Sequence, residues 1–458
     1  MAVLRTRFSP APTGFLHVGS ARSALFVWLA ARATGGEVLL RVEDTNAELY
    51  RPEFLDSILD TLAWLGIEFD GETVFQSERG ERYAAATDQL LTAGHAYRCD
   101  CTPEAVKART VGSATPGYDG HCRDRDVADG PAAAVRFRVP DEGTTEFDDV
   151  IRGHVSFDNA NLEDFVIQRS NGSATFFLPN AVDDVDMEIT HVVRGEDLIN
   201  VTPKVLMIRE AIGVTDRPVF AHLPMLVNEQ RKKLSKRRDD VAVEEFRARG
   251  YLPEAFRNYL AVLGWGPPDG VEIRPISEII ELFGLEDVTP SSAFFDVKKL
   301  DHFNAEYIRA MAPAEFTERA APWLPGPSEE FARLAPELQT RVKTLGEVAD
   351  LTAFLWGDEA VYDDASWEKG VVKLPAAAAI LDAALLAFAS CTWDTDTLHR
   401  ETETIAAANG LTLGKAQAPI RVAVTGRTVG PPLFESMEVL GRERVLARLR
   451  RAREKLGG

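Results

Sequence analysis

With 458 residues, 45% of them hydrophobic and 27% charged, the chain is long enough for about two to four domains and has the balance of an ordinary soluble globular protein. It contains no apolar run of about 18 residues, so no membrane span is expected, and its N-terminus enters a strand pattern without a signal-peptide layout, which makes the cytoplasm the default location. The net charge of −20 excludes binding of nucleic acid through overall charge; an RNA partner would have to be met by local basic stripes.

Residues 3–8 read as a short strand, followed by a turn around Pro10, Pro12 and Gly14. A helix then spans about residues 20–33, where Leu25, Leu29 and Ala33 recur at helical spacing and Gly35-Gly36 closes the run. Val38, Leu40 and Val42 alternate as a second strand over residues 37–43. Pro52 opens a helix that carries Leu55, Ile58, Leu59, Leu62 and Leu65. This βαβα order predicts a parallel sheet with helices on its faces. From Cys99 the pattern changes to short β-like runs at 134–139, 155–157 and 165–167, separated by Gly and Asp turns, which read as an insertion. Residues 189–194 restore a strand and 203–212 a helix. Beyond Val241 amphipathic helices with proline punctuation predict an all-α C-terminal region.

Two basic stripes stand out: residues 231–238 hold six Lys/Arg, and residues 441–455 hold seven against two Glu. The second reads as an amphipathic helix with Val445, Leu446, Leu449 and Leu456 on its apolar side. Its basic face would track a phosphate backbone, and a plain packing helix is the alternative.

The segment Pro12-Thr13-Gly14-Phe15-Leu16-His17-Val18-Gly19-Ser20 puts a histidine and a glycine at the mouth of a helix that follows a strand. Helix N-termini offer free N–H groups and a positive dipole end, so phosphate belongs there. Gly19 would let adenine and ribose approach the backbone, and His17 would donate to phosphate oxygens as charge builds at an α-phosphorus. Ser20 offers one hydroxyl hydrogen bond but no imidazole charge. Much later Lys233-Leu234-Ser235-Lys236-Arg237 forms a basic loop. A lysine that closes on pyrophosphate stabilises the leaving group when chemistry occurs. Arg7 and Arg194 lie at predicted strand ends, where open α/β sheets bind ligands. A guanidinium matches a carboxylate in a bidentate fork, so two arginines on one cleft suit an amino acid with an acidic side chain. A structural ion pair, with Glu43 or Asp44, is the alternative for each.

The two motifs resemble the HIGH and KMSKS signatures of class I aminoacyl-tRNA synthetases. The resemblance extends over nearly the whole chain to bacterial-type glutamyl-tRNA synthetases, through Arg7-Phe8-Ser9-Pro10-Ala11-Pro12, Arg41-Val42-Glu43-Asp44-Thr45, Pro179-Asn180-Ala181-Val182-Asp183-Asp184, Val193-Arg194-Gly195-Glu196-Asp197, Thr425-Gly426-Arg427 and Pro431-Pro432-Leu433-Phe434-Glu435. It implies a Rossmann-type α/β catalytic domain with a mixed α+β insertion and an all-α anticodon-binding region. The implied boundaries are 1–98 and 188–240 for the two catalytic halves and 99–187 for an acceptor-binding insertion. A stem-contact helical domain would cover 241–310 and the anticodon-binding domain 311–458.

The same resemblance implies that glutamate and ATP-Mg²⁺ form glutamyl-adenylate, usually only with tRNA bound, and that the glutamyl group passes to the 3′ end of tRNA(Glu). Lys236 matches the second lysine of the motif and Lys233 the first. Arg7 would hold the glutamate side-chain carboxylate, Ser9 and Ala11 would line its pocket, and Glu43 would hold the α-amino group. Asn180 and Arg194 would complete the pocket, and Asp197 would lie beside the ATP ribose. Two departures concern contacts to substrate: Phe176 stands where relatives often place Tyr, and Ala11 replaces a frequent Ser. Each removes a hydrogen bond worth about 1 kcal/mol net.

Cys99, Cys101 and Cys122 fall in one short segment, whereas Cys391 stands apart and reads as a small hydrophobe. Three soft thiolates suit tetrahedral Zn²⁺, and related enzymes carry zinc at this place. Tyr118, His121 and Asp124 compete for the fourth position; the spacing of Tyr118 to Cys122 matches the tyrosine-ligand version, with Asp124 as the alternative ligand. Three metal-free cysteines are the competing reading. The rivals for function are a paralogue that glutamylates a modified tRNA base and lacks the anticodon domain, a glutaminyl-tRNA synthetase with a β-rich C-terminal half, and an inactive tRNA-binding relative. Charging of tRNA(Gln) is left open, and a monomer is the usual state of the family.

Overall fold

β1 (Arg5–Phe8) and β2 (Glu37–Val42) pair in parallel, and β2 pairs in parallel with β3 (Val74–Phe75). Between the first two strands runs α1 (Val18–Thr34), whose Ala21, Ala24, Leu25, Phe26, Val27 and Leu29 are all buried. A helix apolar on nearly every side is stable only when covered on every side. Gly35 ends it at φ 67°, a left-handed conformation that glycine adopts without steric cost. α2 (Pro52–Trp64) starts with proline in its first turn and buries Leu55, Ile58 and Leu62. α3 (Gly80–Thr92) and β4 (Ala96–Cys99) follow, then α4 (Pro103–Thr110) and β5 (Ala134–Phe137). The structure, a computed structural model, describes residues 3–46, 48–111, 117–131, 133–234 and 241–457.

β6 (Thr144–Asp149) and β7 (Gly153–Asp158) form an antiparallel hairpin, and β8 (Val166–Gln168) returns to complete an antiparallel β4-β5-β8 sheet. After α5 (Phe177–Asp186) come β9 (His191–Gly195), α6 (Thr202–Ala211) and β10 (Val219–Leu223), with β9 and β10 parallel. The strand β10 was not expected from the sequence. It carries the junction between two regions, because β6, from within the segment read as an insertion, pairs in parallel with it at Phe220↔Asp149. The backbone N–H of Thr190 donates to Arg5 O at 2.9 Å, and Arg5 N–H donates to Thr190 Oγ1 at 2.8 Å. This staple sets β1 beside β9, so the C-terminal ends of both strands open onto the same side.

The short parallel pair of β11 (Leu226–Val227) and β12 (Ala293–Phe294) flanks a run of helices: α7 (Val243–Ala248), α8 (Pro253–Ala261) and α9 (Ile276–Leu282). Two compact units result: one runs to Glu245 and resumes over Phe256–Val297, and the other comprises Phe246–Ala255 and Lys298 onward. The second unit is helical, from α10 (Val297–Ala310) through α11 (Pro313–Ala320), α12 (Ser328–Gln339), α13 (Glu347–Thr352), α14 (Asp364–Trp367), α15 (Ala377–Ser390), α16 (Thr395–Ala408), α17 (Leu413–Thr425) and α18 (Leu433–Leu440) to α19 (Arg442–Gly457). It has one core around Phe316, Phe331 and Leu338 and another around Leu381, Phe388, Ile420 and Leu449. Among the described residues no single helix is long and apolar enough to cross a membrane.

The basic stripe of α19 shows features of the packing helix that the sequence offered as one of its two readings. Its buried Arg448 donates to the carbonyls of Val424 (2.6 Å), Phe354 (2.8 Å) and Gly357. Arg444 donates to Leu440 O and Leu355 O, Arg442 to Cys391 O, and Arg453 to Asp382, while Arg451 pairs with Glu359. Arg442, Arg444 and Arg448 satisfy carbonyls at the ends of neighbouring helices. The helix therefore packs through five of its six arginines, while Arg450 is exposed. Cys391 packs half-buried against the same core, as expected.

Candidate active site

One cleft of about 270 Å³ lies at the C-terminal ends of β1, β9 and β10 and at the N-terminus of α1. Arg7, Ser9, His17, Gly19, Ser20, Glu43, Phe176, Asn180, Arg194, Asp197 and Lys233 all line it. One described residue singled out from the sequence does not join them. Ala11 is exposed in the preceding turn, and Lys236 lies outside the described residues, as does Ser235.

His17 is the N-cap of α1. Its Nδ1 accepts from the backbone N–H groups of Gly19 (3.1 Å) and Ser20 (3.2 Å). An accepting Nδ1 leaves Nε2 as the protonated nitrogen of a neutral ring. Nε2 lies 3.1 Å from Ser20 Oγ, so the hydroxyl that ends the motif orients the imidazole. A Cβ on Gly19 would meet His17 Cε1 at 2.9 Å. Glycine is required here for the imidazole to fold back onto the helix end, a reason the motif alone did not reveal. Val18 N–H donates to Val241 O and Val243 N–H to Leu16 O, which ties the same helix end to the chain just beyond the basic loop. On the loop's other side Leu234 N–H donates to Leu226 O, and Lys233 Nζ lies 3.0 Å from Asp197 Oδ2. The Lys233–Asp197 pair is largely exposed, so it contributes about 0–1 kcal/mol and breaks readily.

Behind the cleft is a buried charge network. Arg7 forks onto Asp184, with Nε at 2.8 Å and Nη2 at 3.3 Å. Fully buried Arg41 reaches Asp184 at 2.5 Å and Asn180 Oδ1 at 3.0 Å, and lies 3.6 Å from Glu43. Asn180 Nδ2 donates to Glu43 Oε1 at 3.2 Å. Burial alone would push the Asp184 carboxyl up, but Arg7 and Arg41 hold it well below the usual carboxylate range. Burial pushes Glu43 up, with Arg41 and Arg7 opposing. The ion-pair partner of Arg7 is thus Asp184, not Glu43 or Asp44; Asp44 instead accepts from Ser77.

Arg194 differs. Its Nε donates to His222 Nε2 (3.2 Å) and its Nη2 to Thr202 Oγ1 (2.7 Å), and among the described residues it has no carboxylate in ion-pair distance. Burial, with Arg7 close by, pushes its pKa down to about 10. Ser9 Oγ is also buried without a hydrogen-bond partner. A buried unpaired cation and a buried unpaired hydroxyl in one cleft mark where a polar ligand belongs. Arg22, likewise buried, donates to Leu263 O (3.1 Å) and Pro224 O and fixes the wall after β10.

Sequence reasoning passed over Arg22, Arg41, Asp184 and His222. A signal existed for two of them: a charge inside Val38-Leu39-Leu40-Arg41-Val42 and a histidine inside Val219-Phe220-Ala221-His222-Leu223 interrupt strands that are otherwise apolar on both faces.

In the β4-β5-β8 region the sulfur atoms of Cys99, Cys101 and Cys122 lie within 4.8 Å of one another. Tyr118 Oη is 3.5 Å from Cys99 Sγ and accepts from Cys122 N–H at 2.8 Å. Each thiol faces an arginine: Arg136 to Cys99 (3.3 Å), Arg109 to Cys101 (3.3 Å) and Arg125 to Cys122 (3.4 Å). Asp124 is exposed and accepts from Arg138 at 3.0 Å, outside the three-sulfur group.

Residues 3–302 match the family described as tRNA synthetases class I (E and Q), catalytic domain, and residues 315–453 match an anticodon binding domain. The chain belongs to the glutamate–tRNA ligase family of class I synthetases. It is 52% identical to the glutamate–tRNA ligase of Frankia casuarinae, over 99% of each chain. It is 53% identical to that of Thermobifida fusca, over 99% of this chain and 98% of the other. Among solved structures it superposes on a glutamate tRNA ligase from Elizabethkingia meningosepticum, in complex with its amino acid, with a TM-score of 0.84 at 28% identity, covering 99% of this chain and 100% of that one. Family members are ATP-using ligases, and the order of a parallel-sheet domain followed by helical domains is theirs.

Proposed function

We propose that the chain activates glutamate with ATP-Mg²⁺ and charges tRNA(Glu). The observation that carries this reading is Arg194, a buried guanidinium with no carboxylate partner among the described residues, in the same cleft as the capped N-terminus of α1. A glutamate carboxylate pairs with Arg194, the ammonium lies against Glu43, and Ser9 Oγ gains a partner. Arg7, already held by Asp184, presents its remaining N–H groups to the side-chain carboxylate, with Asn180 and Phe176 completing the wall.

In the first step an oxygen of the glutamate α-carboxylate attacks the α-phosphorus of ATP, and the bond to pyrophosphate breaks. His17 donates from Nε2 to phosphate oxygen, and the N–H groups of the α1 terminus add their partial positive charge. Lys233 exchanges Asp197 for pyrophosphate, Lys236 follows from the same loop, and Asp197 is freed to meet the ribose. In the second step the terminal tRNA hydroxyl attacks the acyl carbon and AMP leaves. Positioning and charge supply the catalysis, so no side-chain nucleophile is needed.

Around this chemistry, 1–98 and 188–240 act as catalytic halves, 99–187 meets the acceptor end, 241–310 the stem and 311–458 the anticodon. Match of an anticodon domain to residues 315–453 favours this over the shortened paralogue. A monomer working in the cytoplasm completes the reading. Zn²⁺ fits the Cys99, Cys101, Cys122 and Tyr118 donor set, with three arginines placed to offset thiolate charge; bound there, it would hold the start of the insertion together. ATP–pyrophosphate exchange with glutamate, with and without tRNA(Glu), tests the function: exchange in neither condition overturns it. Charging of purified tRNA(Glu) and tRNA(Gln) side by side decides whether both are substrates.

A further inference from the structure

Arg194 is not oriented by a carboxylate. It is oriented by a histidine that a carboxylate holds from behind. An arginine only donates, so the 3.2 Å contact from Arg194 Nε makes His222 Nε2 an acceptor. Thr202 Oγ1 lies 3.1 Å from the same nitrogen and accepts from Arg194 Nη2, which leaves its own hydroxyl proton for Nε2. The proton of His222 must then be on Nδ1, which lies 2.6 Å from Asp149 Oδ2.

Asp149 is fitted to keep it there. Its Oδ2 also accepts from His222 N–H (2.9 Å), and its Oδ1 accepts from Ile151 N–H (2.9 Å) and Arg152 N–H (2.8 Å). A carboxylate that accepts four hydrogen bonds while buried has no site left for a proton. The imidazole packs against the rings of Phe147 and Phe220, at 5.9 and 6.1 Å, in a setting that disfavours a second ring proton and the charge it would bring beside Arg194. Burial accordingly pushes the His222 pKa down.

We infer that Asp149 and His222 are positioning residues for glutamate binding: Asp149 fixes the Nδ1–H tautomer of His222, and His222 Nε2 then holds the Arg194 guanidinium in its substrate-binding orientation. Asp149 ends β6, so a residue from the segment between the catalytic halves sets the amino-acid pocket. The inference rests on the reading of Arg194 as a carboxylate ligand, and the experiment separates the two.

Glutamate and ATP KM values and kcat are measured by pyrophosphate exchange, at saturating tRNA(Glu), for Arg194→Ala, Asp149→Asn, His222→Asn and His222→Gln. The amide introduced by Asp149→Asn would donate to Nδ1 and move the ring proton to Nε2, against the Arg194 N–H, as in the catalytic-triad asparagine variant. Loss of one charge-assisted hydrogen bond predicts a rise of roughly 10- to 100-fold in the glutamate KM of Asp149→Asn, with the ATP KM held within about threefold. His222→Asn keeps a donor for Asp149 but leaves Arg194 Nε without its acceptor, and should match that rise. His222→Gln places an acceptor oxygen near the Nε2 position, and should recover much of the loss. Should Asp149→Asn fail to fold, the two His222 variants decide. A glutamate KM within twofold of wild type for His222→Asn, with Arg194→Ala impaired, overturns this inference alone. A normal glutamate KM in Arg194→Ala overturns the reading beneath it, and the inference with it. Equal losses in His222→Asn and His222→Gln, spread over both substrates, would mean a merely structural role and overturn it as well.

Discussion

His17 does two jobs that one substitution can separate. Nδ1 caps α1 by accepting from Gly19 and Ser20 N–H, and in the proposed mechanism Nε2–H is the donor for phosphate. His17→Ala removes both. His17→Asn keeps a good N-cap, since asparagine is among the preferred capping residues, but has no donor at the Nε2 position. The cap is worth about 1 kcal/mol, which corresponds to roughly 2–4 °C in the melting midpoint of a unit of this size. Loss of a preorganised donor to developing charge costs about 10²–10³ in kcat. His17→Ala should therefore lose both stability and exchange rate, whereas His17→Asn should melt with wild type and still lose roughly 10²–10³ in exchange. The assays are thermal unfolding and ATP–pyrophosphate exchange at saturating glutamate and tRNA(Glu). Exchange by His17→Asn within a few-fold of wild type would refute the reasoning, because the imidazole would then be only a cap. Ser20→Ala, which removes only the hydroxyl beside Nε2, should cost less than about tenfold; a loss equal to that of His17→Ala would show that the serine carries the chemistry.

Gly19→Ala should reproduce the exchange defect of His17→Asn in a folded protein, because the new Cβ meets the imidazole at 2.9 Å and pushes it from the helix end; wild-type exchange would contradict the contact. Asp184 is held below its unfolded value, so the folded chain binds fewer protons there, and its contribution is full above about pH 4 and lost as pH falls through the folded pKa. Asp184→Asn should flatten the acid limb of the stability–pH curve below about pH 4. It should also cost about 3–5 kcal/mol near neutrality, both read from unfolding midpoints across pH. A single zinc per chain should be found by atomic absorption after purification without added metal and should be lost in Cys101→Ser; zinc retained by that variant would remove Cys101 from the site. Arg448→Met should lower the melting midpoint of the helical unit while the salt dependence of tRNA binding keeps its slope, because Arg448 neutralises no phosphate.

What was legible in the sequence is what local chemistry determines. The apolar faces of α1 and the alternation in β2 follow from side-chain periodicity, and the histidine and glycine at the helix mouth follow from the capping of a free helix end. Less legible were pairings made across long separations. Arg7 meets Asp184, 177 residues on, whereas Glu43 and Asp44, named for the alternative ion pair, were simply the nearest acids at the next strand end. Charge counting along α19 was incomplete for a related reason. Arg442, Arg444 and Arg448 face carbonyl ends of helices, and carbonyls attract cations as phosphates do but leave no mark in a tally of charges. β10 was missed because a five-residue strand that contains a buried histidine has too little apolar contrast to stand out.

On the proposed reading, the charge balance of the cleft explains why glutamate fits it. Arg7, Arg41 and Arg194 face Asp184 and Glu43: three guanidiniums against two carboxylates, which leaves one positive charge. Asp183, which lies 3.9 Å from Arg41, is balanced by Arg79 at 2.8 Å, and Arg22 at the wall after β10 feels Glu196, so neither pair alters the count. Glutamate carries two carboxylates and one ammonium and supplies the missing negative charge. Glutamine, nearly its isostere, is neutral overall and would leave a guanidinium buried without a counter-charge, a condition that costs several kcal/mol. Shape alone separates such isosteres poorly, whereas an unpaired buried group separates them well. The acidic surface of the chain does not oppose this. Long-range potential is screened within about 8 Å at physiological salt, while the arginines around the cleft act at contact. A protein of net charge −20 can therefore select an anionic amino acid by keeping one buried cation short of a partner.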